Sequence, residues 1–397
     1  MSRRELGALT ALLLLAACSN ATSPTAAQLS PSAQPSAGQS PVPSPATANP
    51  LVVFIKRGSV SLATPDGQVL SSTPTQLDSG EIAVGELGSS DAALIGHYWG
   101  PDGKPLTSLA IGVLDRKGAI TNLDPGAASF FGDVGVWGSP VVFNGRDALL
   151  VRQISADTAQ YGRLDLLSGD FKVLLTVTKL AVHQPGAGGT TQAVSITPLG
   201  TSPDASVARV MVKSAVVDGQ AVPGAAYFEI DLRTGAVTGP RALPDVGPVA
   251  ISPDGRYVAW TSWTPVAGSK QRDLYIRDLA TGQDSTIYNV AYVNDEAGSG
   301  IHFSPDDAYV AVEGYGSDSV MGFEVYNVAT YERVRVVPAT EPSAPNADVP
   351  LWWTDSNTIV YQTTDASGVQ SGHRLDVDSG DVTDYANDLG APVLILG

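Results

Sequence analysis

The sequence predicts an all-β fold assembled from a repeated unit of four antiparallel strands. Among its 397 residues are 41 glycines and 28 prolines, a content that favours short strands joined by many turns. Beyond residue 50 the apolar residues show no sustained helical period. Two turn motifs recur there at a spacing of about 50 residues, and four-stranded repeats of this length are typical of a β-propeller.

The first turn motif lies between two apolar segments and has the form Ser-Pro-Asp followed by small or polar residues. Asp and Pro set the backbone geometry of tight turns, so we interpret the repeated Asp204, Asp254 and Asp306 as structural. Each copy therefore predicts the first two strands of a unit. The copies occupy residues 201–209, 251–260, 303–312 and 353–361, with weaker ones at 143–151 and 90–95.

The second turn motif follows the first and has the form Asp-[Leu/Val]-x-[Ser/Thr]-Gly. Its glycine supplies the positive φ that a hairpin turn needs, and its Asp, Ser and Thr side chains bond the turn backbone. Alternating apolar segments precede and follow it, which adds a third and a fourth strand to the unit. The copies occupy residues 165–169, 231–235, 278–282 and 376–380, with a degenerate one at 327–331.

The two ends of the repeated region complement each other. Residues 51–70 contain three strand segments but lack the first strand of a unit, whereas Ala391–Leu396 is a single apolar strand without partners. We therefore predict a seven-bladed propeller closed by pairing of the amino-terminal and carboxy-terminal strands. Six blades are the alternative, because the units before residue 200 are weakly patterned. The second strands of the other units begin near residues 91, 147, 207, 257, 309 and 358.

The run Ser-Pro-Asp-Gly-Arg-Tyr-Val-Ala at residues 252–259, with Asp-Leu-Ala-Thr-Gly after it, resembles the WD40-like Pro-Asp repeats of TolB-type propellers. The clear match covers residues 201–383. The resemblance implies a propeller fold but no particular activity, because the family includes scaffolds, binding proteins and domains appended to peptidases. It implies no catalytic residue, and residues 19–50 contain no counterpart of the amino-terminal domain of TolB.

The first residues predict an export signal. Arg3 and Arg4 precede an apolar run, Leu6–Ala17, that is too short to span a membrane as a helix. The sequence Leu-Ala-Ala-Cys that ends at Cys18 resembles a bacterial lipobox. We therefore expect a lipoprotein signal peptide at residues 1–17 and lipidation of Cys18. An ordinary secretory signal with an incidental cysteine is the alternative.

The amino-acid composition predicts the domain organisation of the rest of the chain and excludes some classes of binding partner. Residues 18–50 are rich in Ser, Pro and Ala and predict a disordered linker to a propeller domain at residues 51–397. The chain has 23 Lys and Arg against 40 Asp and Glu, a net charge of −17, so we expect no nucleic-acid partner. We expect an extracytoplasmic protein attached to the bacterial cell membrane through lipidated Cys18. The single cysteine excludes a disulfide within the chain.

No cofactor, metal or catalytic residue is expected from the motifs. The sequence contains no P-loop, no nucleophile elbow and no His-Glu-x-x-His. Asp376, Asp378 and Asp381 supply too few oxygen ligands for a calcium loop, and Asp376 is already the aspartate of a turn motif.

Candidate binding residues come from segments that we predict to be long loops on one face of the propeller, because binding residues concentrate on loops held by a rigid scaffold. His302 is added because it stands at the start of an innermost strand, a position from which a side chain could look into the predicted channel. The segments are residues 214–225, 262–272, 293–300, 314–322, 338–349 and 363–372. The candidate ligand-binding or partner-binding residues are Trp263, Arg272, Asp295, Glu296, His302 and Tyr315.

These observations favour a membrane-anchored binding or scaffold module for a protein, peptide or glycan of the cell envelope, and not an enzyme. One alternative is a propeller hydrolase or lyase with its site at the channel mouth, which predicts a pocket with converging polar groups. The other is an architectural spacer, which predicts no such site.

Overall fold

The computed structural model describes most of the region from residue 50 onward, all of it within Pro45–Gly397. Within the described ranges, no helix is long and apolar enough to cross a membrane. The predicted signal peptide, Cys18, the linker up to residue 49, Asp295 and Glu296 lie outside these ranges. The ranges are residues 50–56, 59–74, 92–96, 111–123, 141–143, 147–180, 194–202, 204–243, 249–266, 269–290, 300–315, 321–338, 351–364, 370–385 and 391–396.

The regular structure of the described ranges consists of strands, which confirms the predicted all-β class. They are β1 (Leu51–Lys56), β2 (Ser59–Ala63), β3 (Val69–Pro74), β4 (Ala92–Gly96), β5 (Ile111–Asp115), β6 (Ile120–Asn122), β7 (Val141–Phe143), β8 (Asp147–Ser155), β9 (Thr158–Asp165), β10 (Phe171–Lys179), β11 (Ile196–Thr201), β12 (Val207–Val217), β13 (Gln220–Asp231), β14 (Val237–Ala242), β15 (Val249–Ile251), β16 (Tyr257–Val266), β17 (Ser269–Asp278), β18 (Gln283–Ile287), β19 (Ile301–Phe303), β20 (Tyr309–Tyr315), β21 (Met321–Asn327), β22 (Arg333–Pro338), β23 (Leu351–Trp353), β24 (Thr358–Thr364), β25 (Gln370–Asp376), β26 (Val382–Asp384) and β27 (Ala391–Leu396).

These strands form antiparallel sheets in which neighbours in sequence are usually neighbours in space. Sheet I has the order β27-β1-β2-β3, so the first and last strands of the described chain pair with each other. Sheet II contains β4, β5 and β6; sheet IV contains β15–β18, sheet V β19–β22 and sheet VI β23–β26, each in sequence order. Four of the sheets thus have the predicted four strands.

Sheet III joins two four-stranded groups, β7–β10 and β11–β14. The junction is a direct pairing of β10 with β12, with Val177 opposite Val217 and Lys179 opposite Ala215. The prediction of a loop at residues 214–225 is therefore wrong, since β12 and β13 continue through most of it as a hairpin. The reason is packing: Ala215, Val217 and Val222 are buried in one hydrophobic cluster of sheet III.

The other predicted loops are also shorter than expected where the structure describes them. Strands β16 and β17 pair as far as Val266 and Ser269, so the described part of residues 262–272 consists of paired strands. Strands β20 and β21 pair to Tyr315 and Met321, and β24 and β25 pair to Thr364 and Gln370. Aromatic and β-branched residues continue these strands beyond the expected ends, since such residues fit a pleated, half-buried surface.

The hydrophobic core lies between successive sheets. Phe54 and Tyr385 belong to a cluster that joins sheets I and VI, and Phe323 and Tyr361 to one that joins sheets V and VI. Similar clusters join sheets III and IV and sheets IV and V. The strands β11, β15, β19, β23 and β27 also contact one another in that order. This stacking of sheets face to face is propeller-like.

The first turn motif has the structural role that the sequence predicts. Ser252 donates its hydroxyl hydrogen to Asp254 Oδ1 at 2.8 Å and accepts the Tyr257 amide at 2.9 Å. Asp254 Oδ1 also accepts the Arg256 amide at 2.7 Å. The same serine–aspartate arrangement recurs at the two turns that contain Asp204 and Asp306.

The second turn motif is held by its first residue. Asp231 Oδ1 accepts the backbone amides of Arg233 and Thr234 at 2.9 and 2.8 Å, and Gly235 takes a φ of +78°. In the degenerate copy, Tyr331 adopts a φ of +61° where the other copies have glycine. The repeated aspartates are thus engaged in turns, which confirms their structural interpretation.

Candidate functional site

The four predicted site residues that the structure describes lie on strands instead of loops; they are Trp263, Arg272, His302 and Tyr315. Trp263 on β16 stands opposite Arg272 on β17, and Tyr315 lies at the end of β20. Arg272 is buried, and this burial lowers the pKa of its guanidinium to about 10. Arg272 stands two residues before Leu274 on β17, so both side chains lie on the face of sheet IV that packs against sheet V.

His302 lies on β19, the first strand of sheet V, as the sequence predicts. It stands opposite Ala311 on β20, a residue of the cluster between sheets V and VI, so its side chain faces sheet VI. The imidazole Nε2 lies 3.7 Å from Glu313 Oε1, and the Glu313 residue is 8% exposed. The site is therefore a half-buried histidine beside a buried carboxylate, on an innermost strand and its neighbour.

Two atoms of this pair have no hydrogen-bond partner. His302 Nε2 and Glu313 Oε2 are both buried and have no hydrogen-bond partner, although Nε2 lies only 3.7 Å from Glu313 Oε1. The backbone of the site is fixed from the neighbouring sheet, because the Trp353 indole donates to the His302 carbonyl oxygen at 3.1 Å. Buried polar atoms of this kind require a partner, so the pair is suited to receiving one from outside the chain.

A second polar group lies on the facing surface of sheet VI. Thr363 Oγ1 and His373 Nε2 are 2.8 Å apart, and His373 Nδ1 lies 3.3 Å from Asp384 Oδ1. The three residues stand on the successive strands β24, β25 and β26 and share one face of the sheet. The arrangement orders a hydroxyl, an imidazole and a carboxylate in a line.

Aromatic rings connect the two polar groups. Phe323 stands opposite Glu313 on β21, and its ring meets that of Tyr361 edge to face at 5.1 Å. The Tyr361 ring lies 5.2 Å from that of His373. Burial, and then the charge of Asp384, raises the pKa of Tyr361 to about 12. Both polar groups therefore border the hydrophobic cluster between sheets V and VI.

A third titratable group links the turns of sheets IV and V. The Asp254 amide donates to Asp307 Oδ2 at 3.3 Å. Burial, followed by a hydrogen bond with the Asp254 side chain and by the charge of Asp254, raises the pKa of Asp307 to about 8, against the opposing effect of the Asp254 amide. Burial opposes ionisation of Asp254 as well, but hydrogen bonds from Asp307, the Arg256 amide and the Ser252 hydroxyl lower the pKa of Asp254.

Within the described ranges, no cluster of three or more His, Cys, Asp or Glu residues is arranged to hold a metal ion. Of the aspartates considered for calcium, Asp376 Oδ1 accepts the Ser379 amide at 2.8 Å and Asp378 Oδ1 accepts the Tyr309 hydroxyl at 2.8 Å. Hydrogen bonds from Ser379, its amide first, lower the pKa of Asp376. These contacts explain the two carboxylates as parts of a turn and of an inter-sheet contact.

Comparison with known proteins identifies the type of fold but does not assign the chain to a family. No family model matches the chain, and no curated protein matches its sequence. A protein assigned as a 6-phosphogluconolactonase from Bacteroides fragilis has a TM-score of 0.50 at 13% identity, with 89% of this chain and 99% of that chain covered. TolB from Acinetobacter baumannii has a TM-score of 0.44 at 14% identity, with 87% and 80% covered. The β-propeller domain of the trilobed protease from Pyrococcus furiosus has a TM-score of 0.46 at 10% identity, with 76% and 84% covered. At these identities the likeness concerns the fold alone, and the chain has a propeller-like all-β fold.

Proposed function

We propose that this protein is a lipid-anchored β-propeller of the bacterial cell envelope that binds a protein, peptide or glycan through the His302–Glu313 pair. The observation that carries the proposal is the presence of two buried, unsatisfied polar atoms on facing side chains of the innermost part of sheet V. A site prepared for a ligand explains them, because an unpartnered buried carboxylate oxygen destabilises the free protein.

The proposed architecture is a closed ring of seven blades. Sheet III counts as two blades, since β7–β10 and β11–β14 each repeat the four-stranded order of sheets IV, V and VI. With sheets I and II this gives seven units, and the pairing of β1 with β27 supports closure by the two ends of the chain.

The proposed location rests on the sequence. The lipobox-like residues before Cys18 and the uncharged Ser, Pro and Ala segment after it favour an anchor and a spacer outside the cytoplasm. Replacing Cys18 by Ser is expected to move the protein from the membrane fraction to the soluble fraction. Retention of the Cys18→Ser variant in the membrane would count against lipid anchoring.

The binding role is tested by crosslinking the full-length chain in an envelope extract. The wild type is compared with Glu313→Gln and with Glu332→Gln, which changes an exposed carboxylate near a turn of the same sheet. We expect a crosslinked ligand that the wild type and Glu332→Gln capture and that Glu313→Gln loses. Equal capture by all three folded proteins would contradict a site at Glu313.

One further observation favours a second function, hydrolysis of an ester. In the line Thr363–His373–Asp384, Nε2 is placed to take the hydroxyl proton and Asp384 to orient the ring. Oγ1 would then bond to the ester carbonyl carbon as the bond from that carbon to the alcohol oxygen breaks, and His373 would give the proton to the departing alcohol oxygen. A water molecule would next attack the acyl carbon, with His373 taking a proton from it and returning that proton to Oγ1 as the carboxylic acid leaves. The test is hydrolysis of p-nitrophenyl acetate by the wild type and by Thr363→Ala and His373→Ala. Equal rates for all three proteins would exclude this function.

A further inference from the structure

We propose that the ligand of the Glu313 site presents a primary ammonium group, so that the partner is a protein or peptide that inserts a lysine side chain or its amino terminus. This inference rests on the proposed binding function and selects one ligand class from those left open.

The negative charge of the site favours a cationic ligand. The Glu313 carboxylate is largely buried, and its Oε1 lies 3.7 Å from His302 Nε2, a separation too long for a hydrogen bond. Its second oxygen has no donor at all. A buried carboxylate is costly unless it is both paired and hydrogen-bonded. A ligand that brings a positive charge with N–H donors would meet both needs.

Glu324 in the same sheet is a buried glutamate whose two oxygens both receive hydrogen bonds from the chain. Glu324 is fully buried, yet its Oε2 accepts the Tyr326 hydroxyl at 2.8 Å and its Oε1 accepts Arg333 Nη1 at 2.8 Å. The chain thus supplies hydrogen-bond donors to both oxygens of one buried carboxylate of sheet V and leaves an oxygen of the other without one. Among the buried glutamates on the described strands of sheet V, this contrast marks Glu313 as the one that awaits an external donor.

Glu229 in sheet III follows the same rule as Glu324. Its Oε1 lies 3.3 Å from Arg209 Nε and its Oε2 lies 3.1 Å from Arg241 Nη2. In Glu229, which is largely covered, each carboxylate oxygen therefore has a cationic partner. Glu313 Oε2 lacks a cation with N–H donors of this kind.

The shape of the unsatisfied group selects an ammonium. A guanidinium binds best with two parallel hydrogen bonds to both carboxylate oxygens, but here Oε1 is turned toward His302. An ammonium is a compact charge with three donors and needs a single free oxygen. A sugar hydroxyl supplies a donor without the charge. The net charge of −17 also favours the approach of a cationic ligand.

The inference is tested by calorimetric titration of the full-length chain in detergent micelles. The probes are the end-blocked peptide Gly-Gly-Lys-Gly-Gly, the same peptide acetylated on its lysine Nζ, and chitotetraose as a neutral glycan. The proteins are the wild type, Glu313→Gln and the control Glu332→Gln. We expect the lysine peptide to bind the wild type and Glu332→Gln, and to bind Glu313→Gln at least about tenfold more weakly.

The acetylated peptide tests the inference without any substitution in the protein, so it remains informative if Glu313→Gln folds poorly. We expect it to bind the wild type at least about tenfold more weakly than the lysine peptide. Equal binding of both peptides would overturn the ammonium inference. Chitotetraose binding that depends on Glu313 would overturn it as well but keep the site, whereas crosslinked partners insensitive to Glu313→Gln would overturn the proposed function itself.

Discussion

At the scale of single residues, the buried carboxylates of sheet V differ in whether the chain itself supplies their partners. Glu324 receives Tyr326 and Arg333, while Glu313 keeps one oxygen unsatisfied beside His302. Residues that serve a ligand often reduce the stability of the free protein, because their partners arrive only with the ligand. The two glutamates therefore allow a direct comparison of a structural and a binding carboxylate.

Replacing Glu324 by Gln is expected to lower the free energy of unfolding by about 2 kcal/mol, because Arg333 and Tyr326 lose a charged acceptor. Replacing Glu313 by Gln is expected to leave that free energy unchanged or to raise it, because the change removes an incompletely paired buried charge. Urea unfolding of both variants measures the difference. A loss for Glu313→Gln as large as that for Glu324→Gln would identify Glu313 as structural.

His302 could be predicted as a candidate because its strand position is visible in the repeat. Thr363, His373 and Asp384 could not, since they stand on three strands and meet only through the register of β24, β25 and β26. A shift of one residue in either pairing would place their side chains on opposite faces. The motifs predict where strands begin, but they do not predict which residues of neighbouring strands stand opposite each other.

A signal for Glu313 is nevertheless present in the repeat. Thr261, Glu313 and Gln362 occupy equivalent places after three successive copies of the first turn motif, and all three are buried. Glu313 is the charged member of this set. When a repeated position is buried and polar in several copies but charged in one, the charged copy is a candidate for a binding residue.

At the scale of strands and turns, the two turn motifs were predictable because residues within a few positions of each other determine them. The Ser252–Asp254 and Asp231–Thr234 hydrogen bonds are local in sequence. The lengths of the hairpins were not predictable in this way. The β12–β13 hairpin extends because it pairs with β10 of the preceding group, a contact about which its own sequence carries no information.

The contact between the turns of sheets IV and V gives a prediction about pH. Asp307 has a pKa of about 8 in the folded protein, against about 4 for an exposed aspartate. Between these values the folded state holds a proton that the unfolded state has lost, so stability falls as pH rises through this window. Replacing Asp307 by Asn is expected to flatten this fall, and asparagine also tolerates the φ of +61° at this position.

Thermal unfolding of the wild type and Asp307→Asn from pH 5 to pH 9 tests this account. Asp381→Asn serves as the control, because Asp381 is exposed in a turn of sheet VI. We expect the control to follow the wild type and the Asp307 variant to lose less stability toward pH 9. The same pH profile for all three proteins would show that the Asp254–Asp307 contact does not couple protonation to folding.

At the scale of the whole molecule, polar contacts add to the hydrophobic clusters that join neighbouring sheets. Arg209 Nη1 donates to the Pro253 carbonyl at 3.1 Å between sheets III and IV, and Thr73 donates to the Gly118 carbonyl at 2.6 Å between sheets I and II. The Tyr385 hydroxyl donates to the Thr64 carbonyl between sheets VI and I. Sheet I thus contacts sheets on both sides, as the proposed ring requires.

The proposed ring closure predicts that the last strand stabilises the first. Strand β27 forms five register pairs with β1, and Val52, Val53 and Phe54 of β1 are fully buried. Deleting residues 391–397 would leave β1 as an unpaired edge, and at about 1 kcal/mol per pair we expect a loss of about 5 kcal/mol in the free energy of unfolding.

Urea unfolding of the shortened chain measures this loss, with an equally long deletion inside the predicted linker at residues 18–50 as the control. In a closed ring the first and last strands belong to one cooperative unit, so the carboxy-terminal deletion should also destabilise sheet VI, which shares the cluster of Trp352 and Tyr385 with β1. A change confined to sheet I, or equal stability of the two shortened chains, would favour an open arrangement in which β27 is an accessory strand.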